Sequence, residues 1–291
     1  MTTVSFELPI EVLQAYRSVS FHLPPAPRIN TPAQALSWVN QRGFAYFWPI
    51  KGVNLPSLWV TVAGERPVAD SHDDPAHVTW GWKDDALGKR IWYYAKLLRR
   101  KATLISLDNA AYFYALTENY GSPEDDYMLL YEQGRLTLAA KLIYEALLKE
   151  GALNTIDLRK AARMTSKQSD SEFNRALEYL QVDMKILPVG VAEAGAWRYA
   201  FIYDTVPRHY PDLPELARQI TESQARDRLI ELYFRSMGAA PVRDVQKIFG
   251  WRPEFIQKSL NRLIKSDILK DNLTISTIPG EQIAISDLIT N

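Results

Sequence analysis

The chain has 291 residues, of which 47% are hydrophobic and 23% charged, and its 34 basic and 34 acidic residues give a formal net charge of zero. These values are typical of a globular protein with a substantial core, and the lack of cysteine excludes disulfides, cysteine-ligated metals and cysteine nucleophiles. No run approaches the roughly 18 apolar residues of a membrane span, and the first residues lack a signal-peptide pattern. We therefore expect a cytoplasmic protein with no membrane partner.

The N-terminal part of the chain, residues 1–130, begins with a proline-rich arm. Thr31 followed by Pro32 is typical of a helix start and predicts a helix through about Gln41. A short aromatic, β-like run follows from Phe44 to Ile50. Further along we expect a helix from Leu55 to Val62, a long amphipathic helix from about Asp84 to Arg100, a strand from Leu104 to Leu107, and a helix from Asp108 to Glu118.

Aromatic residues are concentrated in this part, which holds six of the eight tryptophans: Trp38, Trp48, Trp59, Trp80, Trp82 and Trp92. Such rings form either a core or a pocket that stacks a flat ligand, for example an extruded nucleobase. Tryptophans next to polar residues, as in the run 80–85, favour the pocket, although Asp84 there also fits a simple helix cap. The pocket candidates are Trp48, Asn54, Trp59, Trp80, Trp82 and Asp84.

Two later segments, 136–203 and 223–285, repeat one plan of three helices followed by two β-rich runs. In the first we expect helices at 138–147, 156–164 (capped by Asn154 or Thr155) and 173–182, then β-runs at 185–189 and 197–203. In the second we expect helices at 229–237, 241–249 and 253–268, then β-runs at 273–278 and 283–288. Three helices closed by a hairpin are the winged-helix variant of helix-turn-helix, which most often binds double-stranded nucleic acid.

The last segment carries a local positive charge. Between residues 243 and 270, seven basic residues face three acidic ones, a surplus of four. Lys258, Arg262 and Lys265 are spaced to share one helix face, from which they could reach phosphates. An ordinary solvated helix face is the alternative. Lys270, in the predicted hairpin, is a further phosphate contact, and the residues placed to reach base edges are Gln257, Ser259 and Asn261.

Four other basic residues complete the predicted DNA-binding set. Arg175 lies on the third helix of the first repeated segment. Lys96, Arg99 and Arg100 end the predicted helix 84–100, beside its negative dipole end. The first repeated segment is nearly balanced in charge, so packing against its neighbours is the alternative role for that segment.

The stretch from Trp38 to Trp59 resembles the AlkZ-like alkylpurine and crosslink DNA glycosylases. Members of that family have there a helix, a glycine, a short hydrophobic strand and a second helix that ends near a tryptophan. The resemblance implies an aromatic-rich N-terminal winged-helix-type unit followed by two further winged helices. It also implies that the protein acts on DNA.

The family's catalytic motif, Gln-x-Gln or Gln-x-Asp, directly follows that strand. The best equivalents in this sequence are Trp48 and Ile50, which cannot accept a proton or orient a water. Pro49 between them also removes a backbone donor. Gln41 lies too early and Asn54 too late to fill the motif. The resemblance therefore implies a relative that has lost the family's base-excision chemistry or performs it with other residues.

Together these observations predict a mostly helical α+β protein of three winged-helix-like units with short β-hairpin wings, at 1–130, 131–210 and 211–291. We expect it to bind double-stranded DNA, intact or damaged, without an intact catalytic motif, without a cofactor and without a metal. One alternative is an active DNA glycosylase with a rearranged site that uses Asn54 or Asp84. The other is a winged-helix protein that serves for docking or dimerisation.

Overall fold

A computed structural model describes residues 6–71, 73–119, 122, 124–195 and 198–290. Its strands are β1 (Phe6–Leu8), β2 (Phe44–Tyr46), β3 (Tyr93–Lys96), β4 (Ala102–Ile105), β5 (Leu153–Asn154), β6 (Ile186–Ala192), β7 (Ala200–Thr205), β8 (Ala239–Ala240), β9 (Leu269–Ile275) and β10 (Ile278–Ile285). Its helices are α1 (Ile10–Phe21), α2 (Pro32–Arg42), α3 (Leu58–Ala63), α4 (Val78–Leu87), α5 (Leu107–Tyr114), α6 (Asp126–Glu132), α7 (Leu138–Glu150), α8 (Thr155–Ala161), α9 (Asp170–Val182), α10 (Val206–His209), α11 (Leu213–Arg218), α12 (Glu222–Met237), α13 (Val242–Phe249), α14 (Pro253–Lys265) and α15 (Asp287–Thr290). The fold is therefore α+β, with small sheets among many helices.

Two predicted helix starts are confirmed, each with the predicted cap. The Thr31 hydroxyl accepts a hydrogen bond from the Gln34 backbone N–H at 3.2 Å, and α2 begins at Pro32. The Asn154 side-chain oxygen accepts from the backbone N–H groups of residues 156 and 157 at 3.0 and 3.1 Å, and α8 begins at Thr155. Each cap satisfies amide groups that have no partner within the helix.

The prediction of one long helix from Asp84 to Arg100 is wrong. Helix α4 ends at Leu87, and the chain turns and continues as β3, which pairs antiparallel with β4. The residues involved, from Ile91 to Tyr94, are β-branched or aromatic and suit a half-buried strand better than a helix. Tyr93 is fully buried in this sheet. Tertiary pairing has therefore overridden a helical spacing of apolar residues.

Both repeated segments contain their predicted elements in the predicted order. The first runs α7, α8, α9, β6, β7, and the second runs α12, α13, α14, β9, β10. A short strand before the second helix of each segment, β5 or β8, also pairs with the final hairpin. Trp197, predicted at the start of a β-run, lies outside the described residues.

The two ends of the chain are joined in one sheet, whose strand order is β1-β9-β10-β8. Strand β1 pairs parallel with β9, so that Phe6 lies opposite Leu273. Helix α1 follows and packs on α12, where the Tyr16 hydroxyl donates to the carbonyl of Arg235 at 2.8 Å. Strand β1 and helix α1 therefore pack against the last repeated segment.

The largest core also joins the N-terminal part to the last segment. Phe44 on β2 contacts Phe113 and Phe249 edge-on, with ring centroids 5.4 and 5.9 Å apart. The first repeated segment has a core of its own around Ile143 and Phe173. The division of the chain near residues 130 and 210 stays a prediction. In the part of the chain that the structure describes, no helix has both the length and the hydropathy to cross a bilayer.

Candidate functional site

An aromatic cavity lies between the N-terminal part of the chain and the β6–β7 hairpin. Its volume is about 540 Å³, and its walls are Phe47, Trp48, Trp80, Lys83, Tyr94, Tyr199 and Phe201. Trp80 and Lys83 are three positions apart on α4 and therefore share a face. Tyr199 and Phe201 are two positions apart at the start of β7, so alternation places both rings on one side of the strand. Two separate parts of the sequence are thus needed to form the cavity.

The Lys83 amine lies within a ring of aromatic side chains. Its Nζ is 4.6 Å from the centroid of the Phe201 ring and 5.5–5.7 Å from the centroids of Phe47, Tyr94 and Tyr199. The lysine is only 4% exposed. Aromatic faces attract a cation electrostatically, so these rings replace part of the hydration that the ammonium loses.

Lys83 also belongs to a triangle of polar groups. Its Nζ donates to the Tyr199 hydroxyl at 2.9 Å and lies 2.7 Å from Oδ1 of Asp84. The Tyr199 hydroxyl in turn donates to that same Oδ1 at 3.0 Å. The triangle joins α4 to the strand β7, and it gives the buried ammonium a counter-charge.

Burial sets the protonation behaviour of these groups. Burial lowers the pKa of the Lys83 ammonium, while the hydrogen bond and charge of Asp84 oppose that shift. Burial raises the pKa of the Tyr199 phenol, and the Asp84 carboxylate raises it further. Burial also raises the pKa of Tyr94. Both phenols are therefore protonated at neutral pH, and Tyr199 donates its proton to Asp84.

Two indoles form the wall of the cavity away from the amine. Trp48 and Trp80 meet nearly perpendicular, with centroids 5.9 Å apart. The His77 ring stacks behind Trp80 at 4.9 Å with an interplanar angle of 5°. Trp80 is 40% exposed, so part of this wall is accessible from solvent.

Of the six predicted pocket residues, the structure brings two into the cavity wall and a third beside it. Trp48 and Trp80 line the cavity, and Asp84 contacts two lining residues. Trp59 is fully buried behind Trp48, with ring centroids 5.2 Å apart. Trp82 is buried in the core on the other side of α4, and Asn54 is exposed, outside the wall.

The position of the expected catalytic motif is now defined in space. It directly follows β2, and its first residue, Trp48, lines the cavity. Its second residue, Ile50, packs instead against the large core shared with the last segment. An indole has a flat face for stacking but no group that could activate a water. Among the described residues, no three His, Cys, Asp or Glu side chains are grouped so as to hold a metal ion.

A family model described as AlkZ related matches residues 29–250, which include the whole N-terminal contribution to the cavity and the hairpin that completes it. The chain belongs to the AlkZ-related family. Among solved structures, the Streptomyces sahachiroi DNA glycosylase AlkZ is similar, with a TM-score of 0.60 over 98% of this chain and 72% of that chain. The two sequences are 12% identical, so this likeness shows a common fold. A comparison with curated proteins gave no match.

The N-terminal basic residues lie at the end of β3 and in the turn that follows it. Tyr94 and Lys96 are two positions apart on β3 and so share a face of the strand. Lys96 and Arg100 flank the carboxylate of Glu178, at 3.8 and 3.5 Å. Arg99 donates to the carbonyl of Lys247 at 3.0 Å. This turn therefore meets both repeated segments, and one carboxylate offsets part of its charge.

Arg175 belongs to the same surface. It is exposed on α9, three positions before Glu178, and thus on the same helix face. No carboxylate within the described residues forms an ion pair with it. Helix α9 is held against β3 because the Gln181 side-chain oxygen accepts from the Lys96 backbone N–H at 3.1 Å. The predicted residues Lys96, Arg99, Arg100 and Arg175 are therefore brought together, although their sequence positions span 80 residues.

The predicted basic face of α14 is present, but part of it is neutralised. Lys258 and Lys265 are exposed, and within the described residues neither forms an ion pair. Arg262 makes two hydrogen bonds with Asp227, at 2.6 and 2.7 Å, and Lys270 pairs with Asp267. The free positive charge on this helix is therefore smaller than the sequence predicts.

Two of the three residues predicted to reach base edges remain exposed on α14. Gln257 and Asn261 lie one turn apart, and the first donates to the second at 2.8 Å. The prediction for Ser259 is wrong. Its side chain is fully buried, and its hydroxyl accepts from Arg262 at 3.0 Å, because its position on the helix faces the core.

The sequence analysis missed the residues that complete the cavity: Phe47, Lys83, Tyr94, Tyr199 and Phe201. The alternation of Tyr199, Phe201 and Tyr203 was visible and indicates one aromatic face of a strand. No local signal connects that face to residues more than 100 positions earlier. The burial of Lys83 depends on that connection and was hidden for the same reason.

Proposed function

We propose that this protein binds duplex DNA and receives an extruded nucleotide in the aromatic cavity. The observation that carries the proposal is the cavity itself, which has a volume of about 540 Å³ and aromatic walls. Two of its lining residues, Phe47 and Trp48, directly follow β2. A base inside a duplex is inaccessible and must leave the stack to be held by a protein. The faces of Trp48 and Trp80 are suited to stacking such a base, at about 1–3 kcal/mol per stacked base.

The four basic residues on β3, on the turn after it and on α9 support this proposal. We assign Lys96, Arg99, Arg100 and Arg175 to the phosphates on either side of the extruded nucleotide. Lys96 follows Tyr94, a cavity residue, on the same face of β3, about 7 Å further along the strand. Charges at that place would hold the backbone while the base enters the cavity.

The two repeated segments are, in this proposal, winged helices, and the N-terminal part is a third unit of related form. The last segment would approach the duplex through α14, where Lys258 and Lys265 reach phosphates and Gln257 and Asn261 reach base edges. We assign Arg262 and Lys270 a smaller share of the affinity, because each is already paired with a carboxylate. The first repeated segment has a different task, since Tyr199 and Phe201 of its hairpin complete the cavity.

The family relationship makes DNA the expected partner, because the similar solved structure is that of a DNA glycosylase. We propose that this chain does not cleave the glycosidic bond through the family motif, since Trp48 and Ile50 occupy it. Asp84 has a carboxylate in contact with the cavity residue Tyr199. It supports a second candidate function, an active glycosylase with a rearranged site. Loss of base release in Asp84→Asn, starting from a wild-type protein that releases a base, would establish that alternative.

The proposal is tested by measuring affinity for a labelled duplex across a range of salt concentrations. Each phosphate contact contributes about 0.9 to the slope of log affinity against log salt. We expect Arg99→Gln combined with Arg100→Gln to lower the magnitude of that slope by roughly 1, mainly through Arg99, because Arg100 is already paired with Glu178. Arg198→Gln, a change at an arginine whose side chain is 80% exposed, is the matched control and should leave the slope unchanged. A flat response of the wild-type protein to salt contradicts the proposal.

A further inference from the structure

One charged side chain, Lys83, is among the residues that line the aromatic cavity in the described part of the chain. Its counter-ion Asp84 is not among them, and it contacts both the amine and the Tyr199 hydroxyl. A ligand in the cavity therefore meets the ammonium directly, with the carboxylate as that ammonium's partner.

The ammonium has a donor to offer. A lysine Nζ carries three N–H donors and no acceptor. Asp84 and Tyr199 are the two polar partners that the described residues provide. The third N–H can serve an acceptor atom on the edge of a ring that lies against the indoles of Trp48 and Trp80, which line the same cavity.

We propose that Lys83 determines the ligand specificity of this cavity, and that it selects a flat neutral ring with a carbonyl acceptor on its edge over a cationic ring. Guanine and hypoxanthine have such an edge, because a carbonyl oxygen and a ring nitrogen both accept hydrogen bonds. The inference rests on the proposed function in so far as the ring is a nucleobase. It adds to the proposed function the chemical class of ring that the cavity accepts.

The physical reason is that the protein already supplies the cation. An aromatic cage without a lysine attracts positively charged ligands. Here the centroids of four rings lie within 5.7 Å of the Lys83 Nζ. The ammonium of Lys83 therefore occupies the place that a ligand cation would take. A second positive charge in the cavity would be repelled at short range in surroundings that screen it poorly.

The experiment compares guanosine with 7-methylguanosine, on the acid side of neutrality where the methylated ring is cationic. Binding is measured by calorimetry and by quenching of tryptophan fluorescence. We expect the wild-type protein to bind guanosine about tenfold more tightly than the cation. Lys83→Met should abolish or reverse this preference. Lys89→Met removes the same charge from an exposed site beyond the end of α4 and should preserve it.

Each other outcome has a defined meaning. Equal binding of the two nucleosides, tighter binding of the cation, or no binding of either by the wild-type protein overturns the inference, whether or not duplex binding persists. Selective nucleoside binding without duplex binding supports the inference and rejects DNA as the source of the base. If Lys83→Met does not fold, the double variant Lys83→Met with Asp84→Asn removes both charges together, and the wild-type comparison remains decisive.

Discussion

At the scale of single residues, buried polar groups in this protein are positioned by partners distant in sequence. Lys83 is held by Asp84, its neighbour, and by Tyr199, which lies 116 positions away. Trp48 takes the place at which the family resemblance implies a polar catalytic residue. An indole there favours stacking, where an amide would favour the positioning of a water.

His209 gives a prediction about pH at this scale. Its ring is buried against Tyr210, with centroids 4.7 Å apart, and burial lowers its pKa, assisted by the charge of Arg90. The folded state therefore binds fewer protons than the unfolded state as the pH falls below the ordinary histidine value of about 6.5. Stability should decrease over that range.

The measurement is urea unfolding at about pH 7.5 and about pH 5.5. We expect the wild-type protein to lose stability at the lower pH, and His209→Gln to lose less. His22 is a partly exposed histidine that follows α1. The control substitution His22→Gln should keep the wild-type pH dependence. An unchanged pH dependence in His209→Gln contradicts this explanation.

At the scale of secondary-structure elements, the capping residues Thr31 and Asn154 marked helix starts correctly, whereas Asp84, which also fits a cap, lies inside α4. The cap at Asn154 predicted the start of α8 because its side chain bonds two amides that lack helical partners. The wrong prediction of a single helix from Asp84 to Arg100 has a different origin. Gly88 directly follows the last residue of α4 and is a residue type that commonly ends helices, but only pairing with β4 shows that the next residues form a strand.

The Asn154 cap can be tested directly. Asn154→Ala removes both acceptor bonds, and we expect it to lower the free energy of unfolding by about 1 kcal/mol. Asn154→Asp should retain only part of the stability, because a carboxylate can accept the same bonds but cannot donate to the Asp157 carboxylate as the Asn154 amide does. Chemical denaturation of the two variants checks this expectation, and equal stability of Asn154→Ala and the wild type would refute it.

At the scale of the whole molecule, the two ends of the chain stabilise each other. Strand β1 extends the sheet of the last segment, and Arg17 on α1 donates to the backbone carbonyls of Met237 and Ala239 at 3.0 and 2.8 Å. Burial lowers the pKa of this guanidinium. Its bonds satisfy carbonyls at the end of α12 and in β8.

We expect Arg17→Met to lower the free energy of unfolding by about 1–3 kcal/mol, because it leaves two carbonyl groups without their charged donor. The control is Arg198→Met, at an exposed ion pair, which should change stability by less than about 0.5 kcal/mol. Thermal unfolding of both variants compares them. A loss no greater than that of the control would show that the N-terminal arm adds little to the last segment.

The sequence alone determined the elements whose signals are local: the caps at Thr31 and Asn154, the order of helices and strands in the two repeated segments, and the tryptophan-rich character of the N-terminal part. These follow from short-range hydrogen bonding and from the periodicity of apolar residues.

Only the tertiary structure decided which side chains form the site. Lys83 became a buried amine because a strand more than 100 residues later covers it with Tyr199 and Phe201, and β1 joined a segment at the far end of the chain. Long-range contacts of this kind depend on how whole elements pack, and a sequence pattern carries no record of which faces will meet. The fold class could thus be predicted from local patterns, whereas the walls and the charge of the cavity could not.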